Sequence, residues 1–124
     1  MTDERVTDGR RIAELLASEL VARTDGPLAG LELVDVRDAD GDQFGEFAYA
    51  VEREGERVAE VYVHQDRTRV EFRIGLDALP RAAAERGLRV RPKASRPPRA
   101  IVFVEDGAQV KRVLPVVVDC LDAA

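Results

Sequence analysis

A chain of 124 residues carries 24 acids against 19 Lys and Arg, a net charge of −5, with 45% hydrophobic and 35% charged residues. That length suits one buried core, and that balance excludes an acidic disordered segment. No run of eighteen apolar residues occurs, which excludes a helical membrane span, and Met1–Arg5 lack the apolar stretch of a signal peptide, so a cytoplasmic location is expected.

In chain order, residues 1–6 read as a loose tail. Thr7 or Asp8 can cap a helix reaching about Arg23, with Ile12, Leu15, Leu16, Leu20 and Val21 at helical spacing. Thr24-Asp-Gly-Pro27 should end it. Leu31, Leu33 and Val36 alternate through a first strand, and Asp38–Asp42 reads as a turn. Phe47–Arg53, Arg57–His64 and Thr68–Ile74 then alternate as three strands, with two-residue turns expected at Glu54-Gly55 and Asp66-Arg67. If both turns hold, one sheet face is Ala48, Ala50, Ala59, Val61, Val63, Val70, Phe72 and Ile74. The other carries Phe47, Tyr49, Val51, Val58, Glu60, Tyr62, His64, Arg69, Glu71 and Arg73, with Glu60 opposite Arg73 and His64 opposite Arg69.

Further on, Asp77 can cap a short helix to Arg86 with Pro80 in its first turn. Leu88–Val90 suits a short edge strand closed by Pro92, and Ala100–Val104 a central one. Asp106 with Gln109 signals a last helix whose stripe is Val110, Val113, Leu114, Val117 and Leu121. Pro115 should kink it, and Val116–Val118 keeps a strand open as an alternative. These elements imply an α+β fold, a mainly antiparallel sheet of five to six strands with helices packed on one face as a two-layer sandwich.

The most asymmetric stretch is residues 86–99. Arg86, Arg89, Arg91, Lys93, Arg96 and Arg99 give it +6 with no acid, so the rest of the chain sums to −11. Arginine and lysine are the usual partners of phosphate and carboxylate, and prolines reduce the entropy lost when such a segment docks. A non-catalytic interaction module docking through this strip, with help from Lys111 and Arg112, is therefore expected. Its partner would be an acidic protein surface, or a second copy meeting it through the sheet face. The plain alternative is a solvated loop balancing carboxylates of its own fold.

Tyr49 and Tyr62, with Phe47, among Arg69, Arg73 and His64 suggest a second possibility, a stacking platform for RNA or a ribosomal site. A third is a small-molecule binder or enzyme near His64, the single histidine, but no nucleophile pattern accompanies it and no catalytic residue is assigned. Cys120 is the sole cysteine and reads as a small core residue. Asp38, Asp40, Asp42 and Glu46 fail the calcium-loop register, because Gly41 at the sixth position places Val36 at the first. No metal, cofactor or membrane contact is expected.

Seventeen Arg against Lys93 and Lys111, and no Asn, suit a GC-rich genome or a salt-rich cytoplasm. Thr7-Asp-Gly-Arg-Arg-Ile-Ala-Glu-Leu-Leu-Ala-Ser-Glu-Leu20, together with the run from Arg89 to Arg99 and on through Ile101-Val-Phe-Val-Glu-Asp-Gly-Ala-Gln-Val-Lys-Arg112, resembles small uncharacterised proteins of halophilic archaea. That resemblance implies no activity and transfers no functional residue.

Overall fold

The computed structural model describes residues 6–22 and 25–124. Of the expected tail at residues 1–6, residues 1–5 lie outside the described residues, as do Arg23 and Thr24 at the expected helix stop, whereas Val6 is not loose: its carbonyl accepts from Gly107 N at 3.0 Å and its side chain packs against the core. The element order is α1 (Gly9–Val21), β1 (Leu31–Val34), β2 (Glu46–Arg53), β3 (Glu56–Val63), β4 (Thr68–Phe72), α2 (Leu79–Glu85), β5 (Val90–Lys93), β6 (Arg99–Val104) and α3 (Gly107–Asp122). The strands form one sheet in the order β1-β2-β3-β4-β6-β5, every neighbouring pair antiparallel. The fold is α+β, with α1 and α3 packed together over one face.

The helices form where the local chemistry directs. The Asp8 carboxylate accepts the Arg11 N–H, Ile12, Leu16 and Leu20 are buried along one stripe, and α1 follows from both. Asp106 caps α3 by accepting from Gln109 N, while the Gln109 side chain reaches back to Glu105 N. Residues 116–118 are helical, since they continue the stripe of Val110, Val113 and Leu114 into the core, and Pro115 lies within the helix. α2 begins at Leu79, and its cap position is Ala78; the Asp77 cap expected from sequence is not made.

The sheet corrects several expectations. Glu54-Gly55 is a two-residue turn, both residues at positive φ, and Arg53 pairs with Glu56 as the pattern required. Val58 is then an extra residue in β3, so Val51 pairs with Ala59 and Tyr49 with Val61. Ala48 is an extra residue in β2, after which Phe47 pairs with Tyr62. The two bulges cancel. Between them every residue of β2 changes face.

Tyr49, Val51 and Val58 therefore enter the core, and Ala50 sits opposite Glu60 on the other face. Tyr49 is buried, its hydroxyl donating to Ala13 O of α1 at 2.9 Å. Burial pushes its pKa up. Tyr49 thus anchors the helix to the sheet, on the face that the simple alternation gave to Ala50.

The second turn is also displaced. His64 N donates to Arg67 O at 2.9 Å, so Gln65 and Asp66 form its tip, not Asp66 and Arg67. The register slips by two residues, which preserves the faces but changes the partners. Glu60 is opposite Glu71, not Arg73, and Tyr62, not His64, is opposite Arg69.

β5 runs Val90–Lys93, through Pro92 where the strand was expected to stop. Phe103 N donates to Arg89 O, so in this antiparallel ladder residues 91 and 93 also turn their backbone toward β6. Pro92 therefore faces the free edge, where its missing N–H costs no ladder bond and blunts further strand pairing.

Candidate functional site

The face without helices is a lattice of charge. Glu60 and Glu71 stand directly opposite each other, and both are buried. Like charges so placed repel unless other groups compensate. Glu71 accepts from Arg69 Nε at 2.8 Å, Arg99 Nη1 at 3.0 Å, and Lys93 Nζ at 3.1 and 3.3 Å. Glu60 accepts from Arg57 at 3.0 Å, the Tyr62 hydroxyl at 3.2 Å and Arg99, with Arg73 at 3.7 Å. Burial by itself would raise both carboxyl pKa values. The surrounding donors, led by Arg57 at Glu60 and Arg69 at Glu71, outweigh it and hold both below the usual value.

Guanidinium groups also cover the rings. Arg69 lies 4.2 Å from the Tyr62 centroid, Arg37 lies 5.8 Å from that of Phe47, and Arg67 and Arg89 sit 5.4 and 5.3 Å from that of Phe103. Tyr62 packs edge-on against Phe47. These rings are not bare stacking surfaces, and Tyr49 does not belong to this face at all.

His64 is buried beneath the Gln43–Gly45 loop. An arginine can only donate, so the 3.0 Å contact from Arg69 Nη1 fixes His64 Nε2 as an acceptor, leaving the Nδ1 hydrogen to face Gln43 O at 3.3 Å. Burial, then Arg67 and Arg69, depress the His64 pKa, so the ring is neutral near pH 7. The loop is held by Asp42 Oδ1, which accepts from Phe44 N and Gly45 N, and by Arg69, which donates to Phe44 O. It leaves the Phe44 side chain exposed, a feature no sequence pattern marked. Cys120 is on the core side of the sheet, its thiol pushed up to about 12 by burial and by Asp119, so it forms no pair with His64.

The 86–99 strip divides into three parts. Lys93 and Arg99 are committed to the two glutamates, and Arg89 pairs with Glu105 at 2.8 Å. Arg86 closes α2 and faces Lys111 and Pro115 on the helical layer, away from the sheet face. Arg91 and Arg96 are exposed and make no ion pair among the described residues. The strip is therefore not one uncompensated ribbon. What the fold assembles instead is a sheet face of mixed charge. Arg37, Arg57, Arg67, Arg69, Arg73, Arg89, Arg91, Lys93 and Arg99 supply nine cations there, against Glu32, Glu52, Glu60, Glu71, Glu105, Asp35 and Asp66, a surplus of two gathered toward β5 and β6. With the whole chain at −5, the rest of it carries −7.

The acidic turn answers its own chain: Arg10 pairs with Asp38 at 2.7 Å and with Asp40, and Glu46 accepts Gly41 N. No helix among the described residues is long and apolar enough to cross a membrane.

The whole chain, residues 1–124, matches the family of unknown function DUF7993 and belongs to that family. No curated protein and no solved structure matches it.

Proposed function

We propose that this member of the family is a non-catalytic cytoplasmic binding module that docks an acidic protein surface on the open face of its sheet. The observation that carries the reading is the cation surplus on that face, with Arg91 on the edge strand and Arg96 just beyond it making no ion pair among the described residues. Positive patches of this kind steer acidic partners and set their register. The buried thiol of Cys120 suits a reducing compartment.

Two other readings fit less well. A second copy meeting this face to face would bring two positive surpluses together, so a homodimer through the sheet is disfavoured. A long RNA would also meet the −7 of the rest of the chain, and the rings it would stack on lie under guanidinium groups. A compact acidic patch meets only the favourable face.

The test is fluorescence anisotropy with polyglutamate and with single-stranded RNA of matched charge, over a salt series. Polyglutamate should bind, weaken with salt, and lose about tenfold or more in affinity on the double substitution Arg91→Glu and Arg96→Glu. Binding that survives the double substitution would refute the proposal. Tighter, Arg91-dependent binding of the RNA would replace it with the nucleic-acid reading.

A further inference from the structure

We infer that the open face contains one discrete oxyanion site, a groove between β4, β6 and β5 that takes a compact dianion of the phosphate class on Arg67, Arg91 and Lys93. The inference rests on the reading of this face as an anion-docking surface, and it names the group received and the residues that receive it.

The groove has a volume of about 450 Å3 and opens to solvent. Such a volume suits a small ligand or a single modified side chain. Arg67 and Arg69 wall it on one side, Arg91 and Lys93 on the other, and Ile101 and Phe103 form an apolar floor. A floor of that kind lowers the local dielectric and strengthens each charge contact above it.

Donor accounting shows which cations are free. Arg69 is largely committed, donating through Nε to Glu71 and through Nη1 to Phe44 O and His64, which leaves Nη2. Lys93 gives hydrogen bonds to both oxygens of Glu71, yet 42% of its side chain is exposed and an ammonium has three donors. Arg67 is held by Asp66 at 3.1 Å through one nitrogen only, and its guanidinium carbon lies 5.4 Å from the Phe103 ring centroid. Arg91 has no carboxylate partner among the described residues.

Of the four cations in the walls, Glu71 answers one and Asp66 another. Two positive charges remain. His64, neutral and accepting from Arg69, neither adds to them nor offers a competing anion. A carboxylate would leave one charge unmatched, whereas a phosphate monoester carries about −1.5 to −2 near neutral pH and presents three acceptor oxygens. Arginine forks match that geometry. The same monoester chemistry could reach the groove on a phosphorylated side chain of the docked partner or on a free small molecule.

The experiment is calorimetric titration of the full chain with phenyl phosphate, with a phosphoserine peptide, and with the same peptide unphosphorylated. Saturable one-to-one binding of a phosphorylated probe is expected, weakened about tenfold or more by Arg91→Ala or Arg67→Ala and unchanged by Arg86→Ala on the helical layer. Preference for the peptide identifies a partner's side chain as the source, and preference for phenyl phosphate a free small molecule. No saturable binding of either, equal binding of the unphosphorylated peptide, or equal loss in Arg86→Ala overturns the inference. Polyglutamate binding without phosphate binding removes the groove and spares the docking reading. Phosphate binding without polyglutamate binding does the reverse, and absence of both removes both.

Discussion

Replacing Glu71 with glutamine tests whether the charge lattice holds the sheet or strains it. The Glu71 side chain is 0% exposed and receives hydrogen bonds from Arg69, Lys93 and Arg99. Removing one partner from a buried ion pair costs about 3–5 kcal/mol, because the opposite charge is left stranded. Three features reduce that here. Lys93 can turn toward water, Arg99 keeps Glu60, and Arg69 keeps Phe44 O and His64. Loss of repulsion from Glu60 returns up to about 1 kcal/mol.

The expected loss is therefore about 2–3 kcal/mol. It should be read as a lower urea midpoint at unchanged slope, with Tm falling by about 10 °C. Lys93→Met, at the solvent end of the same pair, should cost less than about 1 kcal/mol. The pH sign follows from the lowered folded pKa of Glu71. Its contribution is complete above the ordinary carboxylate range and is lost as pH falls through the lowered value. The wild-type chain should weaken below about pH 4, and Glu71→Gln should show a shallower acid limb. A neutral or stabilising Glu71→Gln would refute the reasoning, since repulsion across the pair would then outweigh the compensation.

Two further outcomes follow from close contacts. A Cβ at Gly9 would lie 1.8 Å from His64 O and 2.6 Å from Arg67 O, so Gly9→Ala should pry α1 off the β3–β4 turn and cost about 3 kcal/mol or more; a wild-type Tm would disprove that approach. The folded chain holds His64 neutral, so the unfolded chain binds the proton first as pH falls below about 6.5, and stability should decline there. His64→Gln should flatten the decline in urea midpoints between pH 7 and 5, and an undiminished slope would assign it to another group.

The elements were legible because each rests on a local signal: the Asp8 and Asp106 caps, the Glu54-Gly55 turn, and the alternation of β3 and β4. The face assignment of β2 was not. Alternation gives a side chain's face only while the ladder is unbroken, and the bulges at Val58 and Ala48 compensate each other, so both strand ends still fit the simple register. The one clue was Tyr49 itself, a ring whose hydroxyl could satisfy a helix carbonyl. The basic strip was visible as composition. Its division between committed and free cations depended on Glu60 and Glu71: Arg99 meets Glu60 from 39 positions away and Glu71 from 28, and Lys93 meets Glu71 from 22, separations that no local pattern encodes.

That division also bears on how the face can be specific. If every cation were free, the face would attract any polyanion, and charge repulsion within it would weaken the sheet. Here Arg69, Lys93 and Arg99 are fixed by buried carboxylates, so their remaining donors are presented in set directions at little further entropic cost. Only Arg91 and Arg96 must be ordered by a ligand. Stability and recognition should therefore separate by residue: substitutions at Glu60, Glu71 or Arg99 act through unfolding, whereas those at Arg91 and Arg96 act on binding at constant Tm. A surface whose folding and docking used the same unpaired charges could not be dissected in that way.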